Sequence, residues 1–148
     1  MTRRIMITEG FAMNDLFHME FTDAQVKQIS SLGLAHIGDG VFELMTRAYL
    51  CSQGGKTVLN LHKQAISLVN APAQAKFAQR ILPELTEDEA GFYRRGKNAH
   101  THAAPKAASP GEYARATGVE ALFGALYLMG RTDRLNELYR IGMDDKEA

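Results

Sequence analysis

The sequence is poor in the features that mark disulfide-bonded, membrane-spanning and secreted proteins. Cys51 is the single cysteine among 148 residues, so no internal disulfide can form. No uninterrupted apolar run approaches the roughly 18 residues that a membrane-spanning helix needs. The N-terminal segment has an early basic pair but lacks the apolar stretch and cleavage site of a secretory leader. We therefore expect a cytoplasmic protein with no membrane partner.

A surplus of charge is also absent. The 17 basic and 17 acidic residues cancel, which argues against a protein that binds nucleic acid through a generally basic surface. The charge is unevenly distributed, however, because residues 84–89 are acidic and a basic segment follows them. The basic residues of that segment are Arg94, Arg95, Lys97 and Lys106. Positive charge is therefore local.

Composition and periodicity predict one helical domain. The chain is 45% hydrophobic and 23% charged, values typical of globular proteins, and its length is sufficient for one core. Apolar residues recur at helical spacing, and we find neither an internal repeat nor β alternation, so the predicted class is all-α. Thr57, and a capping box of Thr86 with Glu89, supply caps. Predicted helices begin at Thr22 or Asp23 and then cover residues 37–52, 58–70, 72–82, 87–97, 113–129 and 132–141, with a loop over 98–111.

Asp39 is the one charged residue in the segment SLGLAHIGDGVF, residues 31–42. On a helical wheel it points away from the apolar side and shares its face with Glu43. The predicted apolar stripe of this helix consists of Ile37, Val41, Leu44, Met45 and Ala48. One interpretation of the Asp39 face is a solvated surface on which Glu43 pairs with Arg47 at i, i+4 spacing. The other is a functional carboxylate.

Glu120 is the one charge in ATGVEALFGALYLMG, residues 116–130, a predicted helix that is apolar nearly all round. Such a helix is expected at the centre of the fold. A carboxylate there needs a partner, because an unpaired buried charge costs several kcal/mol or becomes protonated. The partner is either an Arg or Lys side chain or a metal ion.

A divalent cation shared by Asp39 and Glu120 would explain both residues. Carboxylate oxygens with retained waters are the ligands that Mg²⁺ prefers. Bound Mg²⁺ can lower the pKa of a water and neutralise charge that develops on a phosphodiester. This hypothesis requires the two predicted helices to cross at an acidic site.

Two motifs resemble the signatures of the ribonuclease III domain. The first is LGLAHIGDGVFE, residues 32–43, whose aspartate matches a metal ligand of that domain. The second is ATGVEALFGALYL, whose glutamate before Ala-Leu matches another. The intervening NLHKQAISLVNAPAQAKF and RRGKNAHTHAAPKAASPGEYARATGVEAL are similar to the Mini-ribonuclease III branch, which has no appended double-stranded-RNA-binding domain. The resemblance extends over residues 25–141.

The resemblance implies a ribonuclease III-type helical homodimer that cuts double-stranded RNA with Mg²⁺, leaving 5′-phosphate ends. It also implies a role in the maturation of precursor 23S ribosomal RNA, with ribosomal proteins or the pre-50S particle as further partners. We expect an N-terminal arm over residues 1–20 and a catalytic domain over residues 21–148.

The resemblance also implies the site residues. Asp39 and Glu120 would bind the metal, and Glu43 would complete the catalytic set by orienting the site from one helical turn away. The residues expected to bind RNA are Arg94, Arg95, Lys97, Asn98 and Lys106. Basic side chains at a helix end can instead simply complement the helix dipole.

The sequence departs from the wider family at three positions. Ala35 and Thr117 stand one turn before the two proposed ligands, where the wider family has further carboxylates, and the Mini branch is reduced in the same way. Gly40 replaces the usual alanine after the aspartate. Fewer protein ligands would leave more of the metal's coordination to water or RNA phosphate.

Two rival functions remain open from the sequence. A non-catalytic RNA-binding or ribosome-assembly protein could keep this fold, and the neutral net charge favours it. A helical dimerisation module would explain the apolar central helix but not its lone glutamate. The presence of both Asp39 and Glu120 favours the enzyme.

Overall fold

The computed structural model describes residues 15–99 and 109–144, and every regular element in these ranges is helical. This confirms the predicted all-α class. None of these helices is long and apolar enough to cross a bilayer. A 3₁₀ turn, Leu82–Glu84, follows the fourth helix. We number the helices α1 (Asp23–Lys27), α2 (Ser31–Ser52), α3 (Val58–Val69), α4 (Ala71–Ile81), α5 (Glu87–Lys97), α6 (Pro110–Leu128) and α7 (Thr132–Met143).

The helix starts are determined by local capping. Thr57 and Thr86 each accept a backbone hydrogen bond as N-caps, as predicted, and Thr86 forms the predicted capping box with Glu89. The start of α6 was predicted three residues too late, because Ser109 caps it and Pro110 occupies its first position. Most of the predicted loop, residues 100–108, lies outside the described residues.

A single residue, Asn70, separates α3 from α4. It ends α3 in an extended conformation and also caps α4, where its side-chain oxygen accepts from the backbone N–H of Ala73 at 2.8 Å. The two helices therefore meet at a fixed corner, with no loop between them.

Helix α6 lies at the centre of the fold, as its apolar sequence predicted. Helices α2, α4, α5 and α7 all pack against it. Its fully buried side chains include Val119, Leu122, Phe123 and Leu126. Phe42 of α2 meets Phe77 and Phe123 edge-on, with ring centroids 5.0 and 5.5 Å away. The core thus joins α2, α4 and α6.

The predicted buried face of α2 was only partly right, because Ile37, Val41 and Met45 are partly buried against the core. The helix begins at Ser31, where Ser30 caps it, and Leu44 of the predicted stripe is 56% exposed. The fully buried residues follow a line at every fourth position, with Ala35 beside it: Leu34, Gly38, Phe42, Thr46 and Leu50. Hydropathy does not identify this line because it contains a glycine and a threonine. The threonine is accommodated by a 2.8 Å hydrogen bond between its hydroxyl and that of Tyr139.

Two glycines allow the backbones of α2 and α6 to touch. A Cβ at Gly38 would collide with the carbonyl oxygen of Glu120 and would lie 2.8 Å from the nitrogen of Gly124. A Cβ at Gly124 would collide with the carbonyl oxygen of Leu34. Only glycine fits at these positions, so the crossing brings the backbone of α2 against the turn of α6 that carries Glu120.

Alanine substitutions at two neighbouring glycines should therefore have opposite effects. Gly38→Ala should lower the free energy of unfolding by about 3 kcal/mol, because the helices would have to separate. Gly40→Ala, where an added Cβ meets nothing within 4 Å, should raise it by about 1 kcal/mol. Urea denaturation of both variants measures the difference. Similar effects at the two positions would contradict the close contact.

Candidate active site

The crossing of α2 and α6 brings Asp39 and Glu120 together. Asp39 follows the contact residue Gly38 and its side chain is exposed, whereas Glu120 is half-buried. The two carboxylates are close enough for the charge of Asp39 to act on the titration of Glu120. The helix crossing required by the sequence hypothesis is therefore present.

A third side chain, Gln74, lies against Glu120 from α4. It is 1% exposed, and its Nε2 donates to Oε2 of Glu120 at 3.4 Å and to the carbonyl oxygen of Val69 at 3.1 Å. Its Oε1 is buried and has no hydrogen-bond partner in the described part of the chain. Gln74 was not predicted from the sequence. The available signal was weak: one amide in the alanine-rich first turns of α4.

Burial and repulsion raise the pKa of Glu120 to about 8. Burial of the carboxyl is the larger cause, the charge of Asp39 is the second, and the hydrogen bond from Gln74 opposes both. No Lys or Arg within residues 15–99 and 109–144 forms an ion pair with Glu120. The interpretation that a basic side chain neutralises it therefore finds no support in these ranges.

The donor set at this crossing fits a hard divalent cation such as Mg²⁺. Two carboxylates face each other without a neutralising cation in the described ranges, and carboxylate oxygens are the ligands that Mg²⁺ prefers. The described residues contain no group of three or more His, Cys, Asp or Glu side chains arranged around one point. The hydroxyl of Thr117, one turn before Glu120, donates to the carbonyl oxygen of Tyr113 at 3.0 Å. Water and substrate oxygens would complete the shell.

Glu43 lies one turn beyond Asp39 and is paired with Arg47. Its Oε2 accepts from Nη2 of Arg47 at 2.6 Å and from Nε at 3.1 Å. This is the i, i+4 pair of the simpler sequence interpretation. No hydrogen bond joins Glu43 to Glu120 among the described residues.

The predicted RNA-binding residues lie at the end of α5, apart from Lys106, which lies outside the described residues. Arg94, Lys97 and Asn98 are exposed at i, i+3, i+4 spacing and share one face. Arg95 contacts its own chain, with Nη2 3.4 Å from the carbonyl oxygen of Ile29 and its guanidinium 5.9 Å from the ring centroid of Phe92. Arg95 is exposed as well, but its contacts turn its guanidinium towards Ile29 and Phe92, away from the face that Arg94, Lys97 and Asn98 share.

Helix α5 ends beside the turn of α6 that carries Glu120. A Cβ at Gly96 would lie 2.9 Å from the carbonyl oxygen of Thr117 and would press on Ala121, so the two backbones are close. Lys97 and Asn98 follow directly. The end of α5 and the crossing with α2 therefore lie beside neighbouring turns of α6.

The raised pKa of Glu120 predicts how stability depends on pH in EDTA. The folded protein keeps this proton up to a pKa of about 8, whereas the unfolded chain releases it near 4.5. The folded state therefore binds more protons between these values, and stability falls as the pH rises through this window. Glu120→Gln should abolish this loss, so its Tm should exceed that of the unchanged protein above pH 8 by more than it does at pH 5. A difference in Tm that is the same at both pH values would contradict this prediction.

Comparisons with known proteins agree with the geometry. The Ribonuclease III domain model matches residues 32–131. A Mini-ribonuclease 3 from Symbiobacterium thermophilum is 45% identical over 113 residues, which are 76% of this chain and 87% of that protein. One from Clostridium tetani is 40% identical over 82% of each chain.

A solved structure shares the fold. The crystal structure of a protein from Fusobacterium nucleatum has a TM-score of 0.70 to this chain and is 33% identical, covering 76% of this chain and 86% of that one. The matched domain contains both signature motifs and the crossing that joins them. The chain therefore belongs to the ribonuclease III family, in its Mini-ribonuclease 3 branch, and is an endoribonuclease that acts on double-stranded RNA.

Proposed function

We propose that this endoribonuclease cleaves RNA at a Mg²⁺ site held by Asp39 and Glu120. The supporting observation is the meeting of these two carboxylates at the glycine contact between α2 and α6, without an ion-pair partner for Glu120 in the described ranges. Mg²⁺, when bound, would activate a water and neutralise charge on the scissile phosphate.

Asp39, Glu120 and Glu43 have different proposed roles at this site. Asp39 is exposed and presents its carboxylate at the surface, where an RNA backbone can approach it. Glu120 is anchored in the core helix and provides a fixed second ligand. Glu43 is proposed to orient the site from one turn away, with Arg47 restraining its side chain. The rigid crossing thus supplies the geometry, and the RNA enters from the exposed side.

We assign the holding of RNA to the basic face at the end of α5. A-form RNA is recognised mainly through phosphates and 2′-hydroxyl groups, so a few well-placed cations and amides are sufficient. Arg94, Lys97 and Asn98 are exposed and free to reach the backbone, whereas Arg95 would act mainly by fixing α5 against the loop at Ile29. Lys106 is proposed as a further contact on sequence grounds.

We also propose that the enzyme works as a homodimer in which each protomer cuts one strand. Exposed apolar side chains support association, since Phe17 is 70% exposed and Leu44 56% exposed, and both line one shallow pocket with Tyr127.

The resemblance to the Mini branch supports precursor 23S ribosomal RNA in the cytoplasm as the substrate, presented with ribosomal proteins or within the pre-50S particle.

Cleavage of a long double-stranded RNA by the purified protein tests the assignment of the site. Mg²⁺ should permit cutting and EDTA should prevent it. Asp39→Asn and Glu120→Gln should each reduce kcat by roughly 100-fold or more, because each removes one of two protein ligands. Gel analysis of the products with end labelling measures both the rate and the 5′-phosphate ends.

Matched controls separate loss of the site from loss of folding. Glu20→Gln changes an exposed carboxylate away from the crossing and should leave the rate unchanged. Full activity in Glu120→Gln would refute the ligand assignment. Binding of RNA by the unchanged protein without cutting under any divalent metal would favour the RNA-binding or ribosome-assembly role instead.

Neutralising the α5 face should weaken binding without affecting the carboxylates. Lys97→Ala and Arg94→Ala should each lower RNA affinity and reduce the slope of log K against log salt by roughly one, as expected for a lost phosphate contact. Filter binding in EDTA over a range of salt concentrations measures this slope. Arg140→Ala, an exposed cation in the last turn of α7, is the matched control. Slopes equal to that of the control would contradict the assignment.

A further inference from the structure

Gln74 is a buried amide in contact with the proposed metal ligand Glu120. The proposed binding of Mg²⁺ and of RNA gives it no role. Its side chain is 1% exposed and comes from the first turn of α4, next to the corner at Asn70. Removing such a group from water costs free energy unless its hydrogen bonds are replaced. Here only the nitrogen finds partners among the described residues, and Oε1 finds none. An apolar side chain would fill the same space without that cost.

The orientation of the amide is determined by its surroundings. The carbonyl oxygen of Val69 can only accept a hydrogen bond, so the 3.1 Å contact requires the nitrogen of Gln74 on that side. The same nitrogen carries a second N–H, and this N–H faces Oε2 of Glu120 at 3.4 Å. The reversed amide would place an oxygen against both the carbonyl and the carboxylate. Glu120 therefore meets a fixed hydrogen-bond donor.

We propose that Gln74 is a positioning residue of the cleavage site, whose amide nitrogen, fixed by the Val69 carbonyl, holds the Glu120 carboxylate in place for the metal. This inference rests on the proposed function, because it takes Glu120 as a ligand. Capping of α3 would account for the bond to Val69, but it does not require the second N–H to face Glu120. A Lys or Arg side chain in this place would neutralise the charge of the carboxylate. The neutral amide holds the carboxylate and leaves its charge available to a cation.

Two substitutions test the donor role. Gln74→Met keeps an unbranched side chain of similar length and removes both N–H groups. Gln74→Leu fills most of the same space and likewise carries no donor. Both should raise the Mg²⁺ concentration for half-maximal cleavage about tenfold and lower kcat at fixed Mg²⁺, with KM for RNA unchanged. Both should also reduce the rise in Tm that Mg²⁺ produces without RNA.

A control variant separates positioning from stability alone. Thr46→Val removes a different buried hydrogen bond, the one between Thr46 of α2 and Tyr139 of α7. Thr46 lies two turns along α2 from Asp39. It should lower Tm and leave the Mg²⁺ requirement unchanged. If Gln74→Met does not fold, as judged by circular dichroism, Gln74→Leu decides the question. A Mg²⁺ requirement like that of the unchanged protein in either folded variant would overturn the proposal.

Glu120→Gln in the same series separates a failure of the ligand assignment from a failure of the positioning role of Gln74. If it retains cleavage and the Mg²⁺-induced rise in Tm, the proposed ligand assignment fails and the role of Gln74 fails with it. If it loses both while the Gln74 variants behave as the unchanged protein, only the positioning role fails.

Discussion

The structure depends on the backbone contact between α2 and α6. Gly38 and Gly124 allow the two helices to approach more closely than any side chain would permit, and this approach places an exposed carboxylate of one helix next to a half-buried carboxylate of the other. Such a contact is restrictive, since the facing backbone atoms have no room to slide. The positions of Asp39 and Glu120 are therefore fixed by the core rather than by loops, which is how precise sites are usually supported.

The same contact imposes an electrostatic cost. The fold holds two acids together and raises the pKa of Glu120 to about 8, instead of pairing it with a basic residue of the described chain. The contrast with Glu89 is informative, because that buried acid is bound by Arg134 through two 2.8 Å hydrogen bonds and has a lowered pKa. One carboxylate thus stabilises the fold through an ion pair, whereas the other has no such pair in the described residues, which is what the proposed cation site requires.

The sequence predicted the features that are local or chemically unusual. Helix caps such as Thr86 follow from a few adjacent residues, and Glu120 is conspicuous as a charge in an apolar helix. The predicted stripe of α2 lies only partly against the core, and the line of fully buried residues was missed because it includes Gly38 and Thr46. Gln74 could not be assigned, because its bond to Glu120 joins residues 46 positions apart and depends on how α4 packs against α6. The periodicity of a single sequence does not show which helices pack against each other.

The single-residue corner at Asn70 has a mechanical consequence. Helix α3 has only Ala65 fully buried, so most of its length is exposed to whatever binds the enzyme. Its last carbonyl holds the Gln74 amide, and no flexible linker lies between the two to absorb movement. A displacement of the C-terminal end of α3 would therefore reach the Gln74 amide directly and, through it, the carboxylate of Glu120.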